Sequence, residues 1–356
     1  MKFLLSGYYG FGNAGDEAVL AAILDAVGAR VPNATEYVVT SGAPQQTTAM
    51  YDRSERHVTG VPRSGARALA QAIRACDVFI SGGGSLIQDV TSLRNVVYYT
   101  SLIRFAQLAR KPVMIYAHGV GPLSKPLSRK LTRIAVQRAR VVTVRDEDSK
   151  ELLRRIGVRR EVEVTADPVW ALEPDDSPAS GHALTWGVAL RSWPGQSGPE
   201  ETARALRAIR NAARAAGATL RFLPMQPASD RALIEAHGAQ PQEIIETANL
   251  HPRAIMAAAG RCDLMIAMRL HALIFAAAQG VPCVAVNYDP KVAALSKSIG
   301  APLIHNSSES EWAKLPKAIA AARPVDAVLI DDLETKSRRN GELAAGLLTA
   351  NPMNHG

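Results

Sequence analysis

Leu264-Met265-Ile266-Ala267-Met268-Arg269-Leu270-His271-Ala272 decides how this chain folds. The first four residues are apolar without alternation, which reads as a short buried strand. An apolar run from Ala272 to Gln279 follows at once and reads as a helix. A buried strand feeding straight into a helix is the first part of a βαβ unit. The junction also carries Arg269 and His271 at a helix start, where free backbone N–H groups and the helix dipole favour an anion. A phosphorylated or carboxylated ligand is the expectation.

The same unit repeats along the chain. Strands are read at Lys2 to Ser6, Tyr37 to Thr40, Val78 to Ser81, Val113 to Ala117, Val141 to Val144 and Val162 to Thr165. Helices at Asp16 to Gly28, Gly65 to Ala75, Ser128 to Ala139 and Asp146 to Ile156 alternate with them. Turn formers from Glu173 to Gly181 break the rhythm and read as a linker. A second series has strands at Trp186 to Leu190, Thr219 to Pro224, Leu264 to Ala267 and Cys283 to Val286. Its helices are Pro199 to Ala216, Ser229 to Ala236 and Pro252 to Gly260. Such alternation gives mostly parallel sheets covered by helices. The expected fold is α/β: two doubly wound Rossmann-like domains, residues 1–178 and 179–330, and a C-terminal helical tail over 331–356. Helical pattern runs from Glu309 to about Leu348 and is expected to fold back across the linker. Folds of this kind bind ligands outside the carboxyl ends of their strands. The two domains are therefore expected to face a cleft that holds the active site.

Composition excludes several classes. A chain of 356 residues with 47% hydrophobic and 21% charged residues is ordinary for a globular protein. The apolar run at Met1 to Ser6 is too short for a signal peptide, and no segment reaches the length of a membrane span. A cytoplasmic protein is expected. Lysine plus arginine number 41 against 33 aspartate plus glutamate, a net charge of +8. Aromatics are only 5% and do not interleave with basic residues, so nucleic acid is not an expected partner. Peripheral contact of the basic surface with an anionic inner membrane leaflet is one expectation, and acidic small substrates are another. Cys76, Cys262 and Cys283 are scattered in apolar surroundings without metal spacing, which reads as reduced structural thiols.

Loops at the carboxyl ends of the strands carry the chemistry. Ser6-Gly7-Tyr8-Tyr9-Gly10-Phe11-Gly12-Asn13-Ala14-Gly15-Asp16-Glu17 is rich in glycine but places Asp16 and Glu17 at the helix start, where they repel a phosphate. It is read as holding sugar hydroxyls through Asn13 or positioning a reactive hydroxyl, unless Asn13 and Asp16 only cap the helix. Ser81-Gly82-Gly83-Gly84-Ser85-Leu86-Ile87-Gln88-Asp89 is expected to open a new helix after Ser85, leaving N–H groups for a carboxylate or phosphate. His118, in Ala117-His118-Gly119-Val120-Gly121-Pro122, either faces the ligand or satisfies local backbone. Arg145, ahead of Asp146-Glu147-Asp148, either binds a ligand or pairs with those carboxylates. The second domain adds Arg191, Arg269, His271 and, after Asn287-Tyr288-Asp289-Pro290, Lys291. Several cations at one edge of one sheet are a stronger signal than any single one.

Taken together, these motifs resemble the polysaccharide pyruvyl transferase family, and most closely its bacterial branch that acts on the secondary cell-wall glycan anchoring S-layer proteins. The resemblance rests on Gly10 to Ala18, Ser81 to Asp89, His118 to Pro122, Val144 to Asp146, Arg269 to Ala272 and Tyr288 to Lys291, in family order over roughly residues 2–305. It implies a glycosyltransferase B-like architecture, phosphoenolpyruvate as donor, and a lipid-linked saccharide acceptor carrying N-acetylmannosamine. It also implies that Arg145, His271 and Lys291 hold phosphoenolpyruvate, with Arg269 in support. The expected site is then His271 as proton donor, with Arg269 and Asp16, the latter as base. Asn13, Gly83, Gly84, Ser85, Gln88, His118, Arg145, Arg191 and Lys291 are expected to bind substrate. An imidazole's ordinary pKa of about 6.5 suits proton transfer near neutral pH. No electrons move and cations neutralise the phosphate, so neither a cofactor nor a metal is expected. Two rival readings are a nucleotide-sugar glycosyltransferase and a non-catalytic glycan- or anion-binding homologue. The first needs an acidic residue for ribose hydroxyls, for which Glu243 and Glu246 are weak candidates.

Overall fold

The computed structural model describes residues 1–32, 35–90, 92–176, 183–192 and 199–349. Part of the expected linker, residues 177–181, lies outside the described residues, as does the expected boundary at 178. The chain divides into two units: Met1–Phe11, Asp16–Leu172 and Asp332–Gly356 form one, Gly12–Gly15 and Glu173–Asp331 the other.

In the first unit the elements run β1 (Lys2–Tyr9), α1 (Ala14–Gly28), β2 (Glu36–Ser41), α2 (Pro44–Tyr51), β3 (His57–Pro62), α3 (Ala66–Ala75) and β4 (Val78–Ser81). They continue with β5 (Gly84–Ile87), α4 (Leu93–Leu108), β6 (Val113–Val120), α5 (Pro126–Gln137), β7 (Val141–Val144), α6 (Glu147–Arg155) and β8 (Glu163–Val164). The sheet order is β3-β2-β1-β4-β6-β7-β8, with β5 beside β6, and neighbouring strands are parallel. β4 and β6 are buried along their whole length, as central strands covered on both faces must be. Leu4, Phe79 and Ile115 belong to a core with Ile73 of α3, Val96 and Ile103 of α4 and Val136 of α5.

The second unit has β9 (Thr185–Ala189), α7 (Pro199–Ala216), β10 (Thr219–Phe222), α8 (Pro227–Ala236), α9 (Pro252–Gly260), β11 (Leu264–Ala267) and α10 (Leu270–Ala277). It goes on through β12 (Cys283–Asn287), α11 (Pro290–Ile299), β13 (Leu303–His305), α12 (Glu309–Trp312) and α13 (Leu315–Ala321). Its parallel sheet has the order β10-β9-β11-β12-β13. A last helix, α14 (Ala327–Thr349), contributes its residues from Asp332 onward to the first unit. There Asn340 is wholly buried, and its Oδ1 accepts the hydroxyls of Thr143 at 2.6 Å and Thr165 at 3.0 Å.

One sequence expectation needs correction. No helix begins after Ser85; Gly84–Ile87 is a short strand, with Gly84 opposite His118 and Ile87 opposite Val120 of β6. The apolar pair Leu86 and Ile87 is better buried in a sheet than in a helix start, and the next helix waits for the Ser92 cap of α4. Helix α2 and strand β3 were not legible. Only Thr47 and Tyr51 of α2 are buried, so its sequence carries no apolar stripe. Cys76, Cys262 and Cys283 are buried free thiols, which burial pushes to about 12, 11 and 12.

Candidate functional site

In the second unit, β9 is the first strand, and the chain adds β10 on one side of it and β11 on the other. The gap between the carboxyl ends of β9 and β11 is thus the topological switch point, where open α/β sheets bind their ligands. Arg191 follows β9, and Arg269 follows β11. Tyr288 and Lys291 follow β12 on the same edge, and Asp230 comes from the first turn of α8, after β10.

Arg269 is fixed in place. It is 8% exposed and Asp230 is 2% exposed. The Arg269 Nε–H donates to Asp230 Oδ2 at 3.0 Å, and a second N–H, on Nη2, donates to Oδ1. The same carboxylate accepts the backbone N–H groups of Met225 at 3.1 Å and Gln226 at 2.9 Å. Asp230 is therefore saturated with donors and orients the guanidinium as a two-pronged partner. Burial holds Arg269 below its ordinary pKa, the Arg191 charge acts in the same direction, and Asp230 opposes both. Arg191 lies over the Tyr288 ring, 5.2 Å from its centroid, and donates to its hydroxyl at 3.1 Å. Lys291 Nζ is 3.7 Å from the Asp289 carboxylate, whose other oxygen caps α11. Three cations against Asp230 and Asp289 leave one positive charge before His271 is counted.

His271 stands out within its helix. Leu270 and every residue from Ala272 to Ala277 are buried, while His271 is half-buried. A helix apolar all round has one polar side chain, in its first turn, beside the switch-point arginine.

The first unit's loops are also at carboxyl ends, flanking its own switch point between β1 and β4. Gly84 has φ +90°, and a Cβ there would lie 3.2 Å from the Asp16 carboxylate, so the second glycine loop presents bare backbone to Asp16. Asn13, in the segment Gly12–Gly15 that groups with the second unit, accepts the Gly15 N–H through Oδ1 at 3.0 Å, a local turn bond. The Gln88 side chain accepts the Val90 N–H at 2.8 Å. Arg145 donates to Asp167 at 2.7 Å and to the Ser85 hydroxyl at 2.9 Å, and packs so tightly over Gly119 that a Cβ there would come within 2.7 Å. Its charge is thus largely matched by Asp167, and it sets the Ser85 side chain. Gly83 packs against Val19 and Pro168. His118 is wholly buried, with Nε2 at 3.1 Å from the Ser81 carbonyl oxygen and 3.2 Å from its hydroxyl. Burial lowers its pKa to about 4, so it is neutral at pH 7.

Two residues without a role in the sequence reading, Asp230 and Asp167, hold site arginines, and Glu17 holds the glycine loop. Asp230 and Asp167 lie 39 and 22 positions from their arginines, distances no local pattern spans. Glu17 is 8% exposed and accepts the Gly10 N–H at 2.7 Å and the Tyr51 hydroxyl at 3.0 Å, tying the glycine loop to α1 and α2. Burial pushes its carboxyl from 4.5 to about 7, although both hydrogen bonds pull it down. A raised folded-state value favours folding below the unfolded value of 4.5 and loses that advantage as pH rises to about 7. Glu17→Gln should therefore gain stability over the parent between pH 4 and pH 8, by on the order of 3 kcal/mol. Urea unfolding at the two pH values checks this; an unchanged difference contradicts it. Glu243 and Glu246, the weak ribose candidates, are ion-paired to Arg210 at 3.0 Å and Arg231 at 2.7 Å.

The amylovoran biosynthesis protein AmsJ of Erwinia amylovora is 23% identical over 374 residues, covering 87% of this chain and 89% of that protein. Among solved structures, S. aureus MnaA with UDP aligns over 99% of this chain and 96% of its own, with TM-score 0.66 and 13% identity. The UDP-GlcNAc 2-epimerase of Methanocaldococcus jannaschii aligns over 96% of this chain and 98% of its own, with TM-score 0.61 and 12% identity. At such identity these two establish the fold alone, a glycosyltransferase B-like α/β architecture. Among the described residues no helix is long and apolar enough to cross a membrane. The polysaccharide pyruvyl transferase family model matches residues 13–290, well over half of the sequence, and the chain belongs to that family.

Proposed function

We propose that the chain transfers pyruvate from phosphoenolpyruvate to a saccharide as a cyclic ketal, with release of phosphate. The observation that carries this reading is the Asp230-fixed Arg269 at the second unit's switch point, one residue before the start of the otherwise apolar turn that bears His271. Phosphoenolpyruvate offers a carboxylate and a phosphate, which suit arginine's planar fork and lysine's point charge respectively. Arg191, Arg269 and Lys291 bind these groups. By resemblance, Arg145, held by Asp167, is assigned to the donor as well.

His271, protonated, delivers a proton to the methylene carbon, leaving a cationic C2. A sugar hydroxyl attacks C2 and gives up its proton, with Asp16 as the base. Phosphate leaves with the proton that Asp16 accepted, and a second hydroxyl of the same sugar attacks C2 to close the ketal and returns its proton to His271. Atoms and charge balance without a cofactor or metal. Asn13, Gly83, Gly84, Ser85 and Gln88 are assigned to the acceptor, whose hydroxyls match backbone and amide groups. By resemblance, that acceptor is a lipid-linked cell-wall glycan precursor containing N-acetylmannosamine.

Lys291→Ala tests the donor assignment. It should raise the KM for phosphoenolpyruvate by roughly tenfold or more, the size of one lost charge-assisted hydrogen bond, with the saccharide KM little changed. Steady-state kinetics showing an unaltered phosphoenolpyruvate KM would reject the role.

A further inference from the structure

A cavity of about 860 Å³ lies at the opposite edge of the second unit's sheet. Thr185 and Thr219, the first residues of β9 and β10, line it, so it opens where the edge strand begins rather than where Arg269 and Lys291 stand. Arg210, Arg214, Arg221 and Arg261 converge on it, against one acidic side chain, Glu243. Its floor includes the apolar Ala213, Leu220 and Ala258.

The charges do not cancel locally. Arg210 is matched by Glu243, 3.0 Å away. Helices α7 and α9 end at this edge, and each C-terminus carries about half a negative charge, which offsets about one more arginine. Among the described residues, neither Arg214 nor Arg221 has an acidic side chain within ion-pair reach. Like charges gathered over a partly apolar floor raise the local concentration of an anion with an organic body, and the volume falls in the range of about 300–1,000 Å³ usual for small-ligand sites.

We propose that this cavity is a second anion site, separate from the transfer chemistry, which takes an anionic phosphate ester. Arg214 and Arg221 grip the phosphate, and the organic part rests on Leu220 and Ala258. The phosphate can belong to a free metabolite or to a lipid headgroup, and the test separates the two.

Isothermal titration of the full chain at low salt uses glucose 1-phosphate and glycerol 3-phosphate as soluble probes. Co-sedimentation compares phosphatidylglycerol with phosphatidylcholine vesicles. The double variant Arg214→Ala/Arg221→Ala, both at exposed positions, should weaken binding by roughly tenfold or more, as the loss of two charged contacts requires. Lys291→Ala should leave it unchanged. The double variant should keep the transfer rate within about twofold at saturating substrates, since tenfold would mean 1.4 kcal/mol of transition-state stabilisation. Binding confined to the soluble probes assigns the site to a metabolite, and binding confined to anionic vesicles assigns it to a headgroup. Equal affinity in parent and double variant, loss of binding in Lys291→Ala alone, or no binding to either probe type overturns the proposal.

Discussion

Asp230→Ala is expected to lower the unfolding free energy by about 3–5 kcal/mol, the cost of stranding a buried charge whose partner has been removed. Arg269 is only 8% exposed, so water replaces little of what the carboxylate supplies. Two backbone N–H groups, of Met225 and Gln226, lose their acceptor in the same step. Activity should fall with stability, because Arg269 loses its orientation. The double change Asp230→Leu/Arg269→Met separates the two effects. Replacing a buried ion pair by apolar residues of similar size is often neutral for folding, so the double variant should regain most of the stability and none of the activity. Urea unfolding followed by a transfer assay reads both. A stable and active Asp230→Ala protein would mean that the pair does not organise the site.

His271→Ala is expected to reduce kcat by about 10²–10⁴-fold, the usual contribution of a positioned acid or base, with little change in fold. The reason lies in its position: it is the polar exception in a helix whose other residues are buried, and the ring sits against Gly15, whose backbone a smaller side chain would leave in place. The KM for phosphoenolpyruvate should change far less than kcat. A structural role would instead change stability and KM together. Near-normal turnover in a folded His271→Ala protein would remove the imidazole from the mechanism.

How much of this was legible in the sequence varies from residue to residue. The strand from Leu264 to Ala267 and the turn that follows were readable, because an unbroken apolar run ending in a turn that bears Arg269 and His271 admits few other folds. Helix α2 was not, because its burial rests on Thr47 and Tyr51 rather than an apolar stripe. The triple-glycine loop misled, since glycines at a strand end suggest a helix start, whereas sheet pairing by Gly84 and Ile87 decided the outcome. Arginines could be flagged from sequence as candidate ligand contacts, but their holders could not. Asp230 reads as an ordinary acid in the first turn of a helix, and only the parallel sheet order brings β10 and β11 to the same edge as neighbours of β9.

The central claim is the reaction itself. The chain, incubated with phosphoenolpyruvate and a panel of lipid-linked and aryl-linked saccharides that includes N-acetylmannosamine, is followed by product mass and released phosphate. The account predicts one saccharide gaining the mass of a single pyruvate ketal, with one phosphate freed per ketal. A saccharide that instead gains a sugar residue from a nucleotide-sugar donor, with phosphoenolpyruvate left intact, would contradict it.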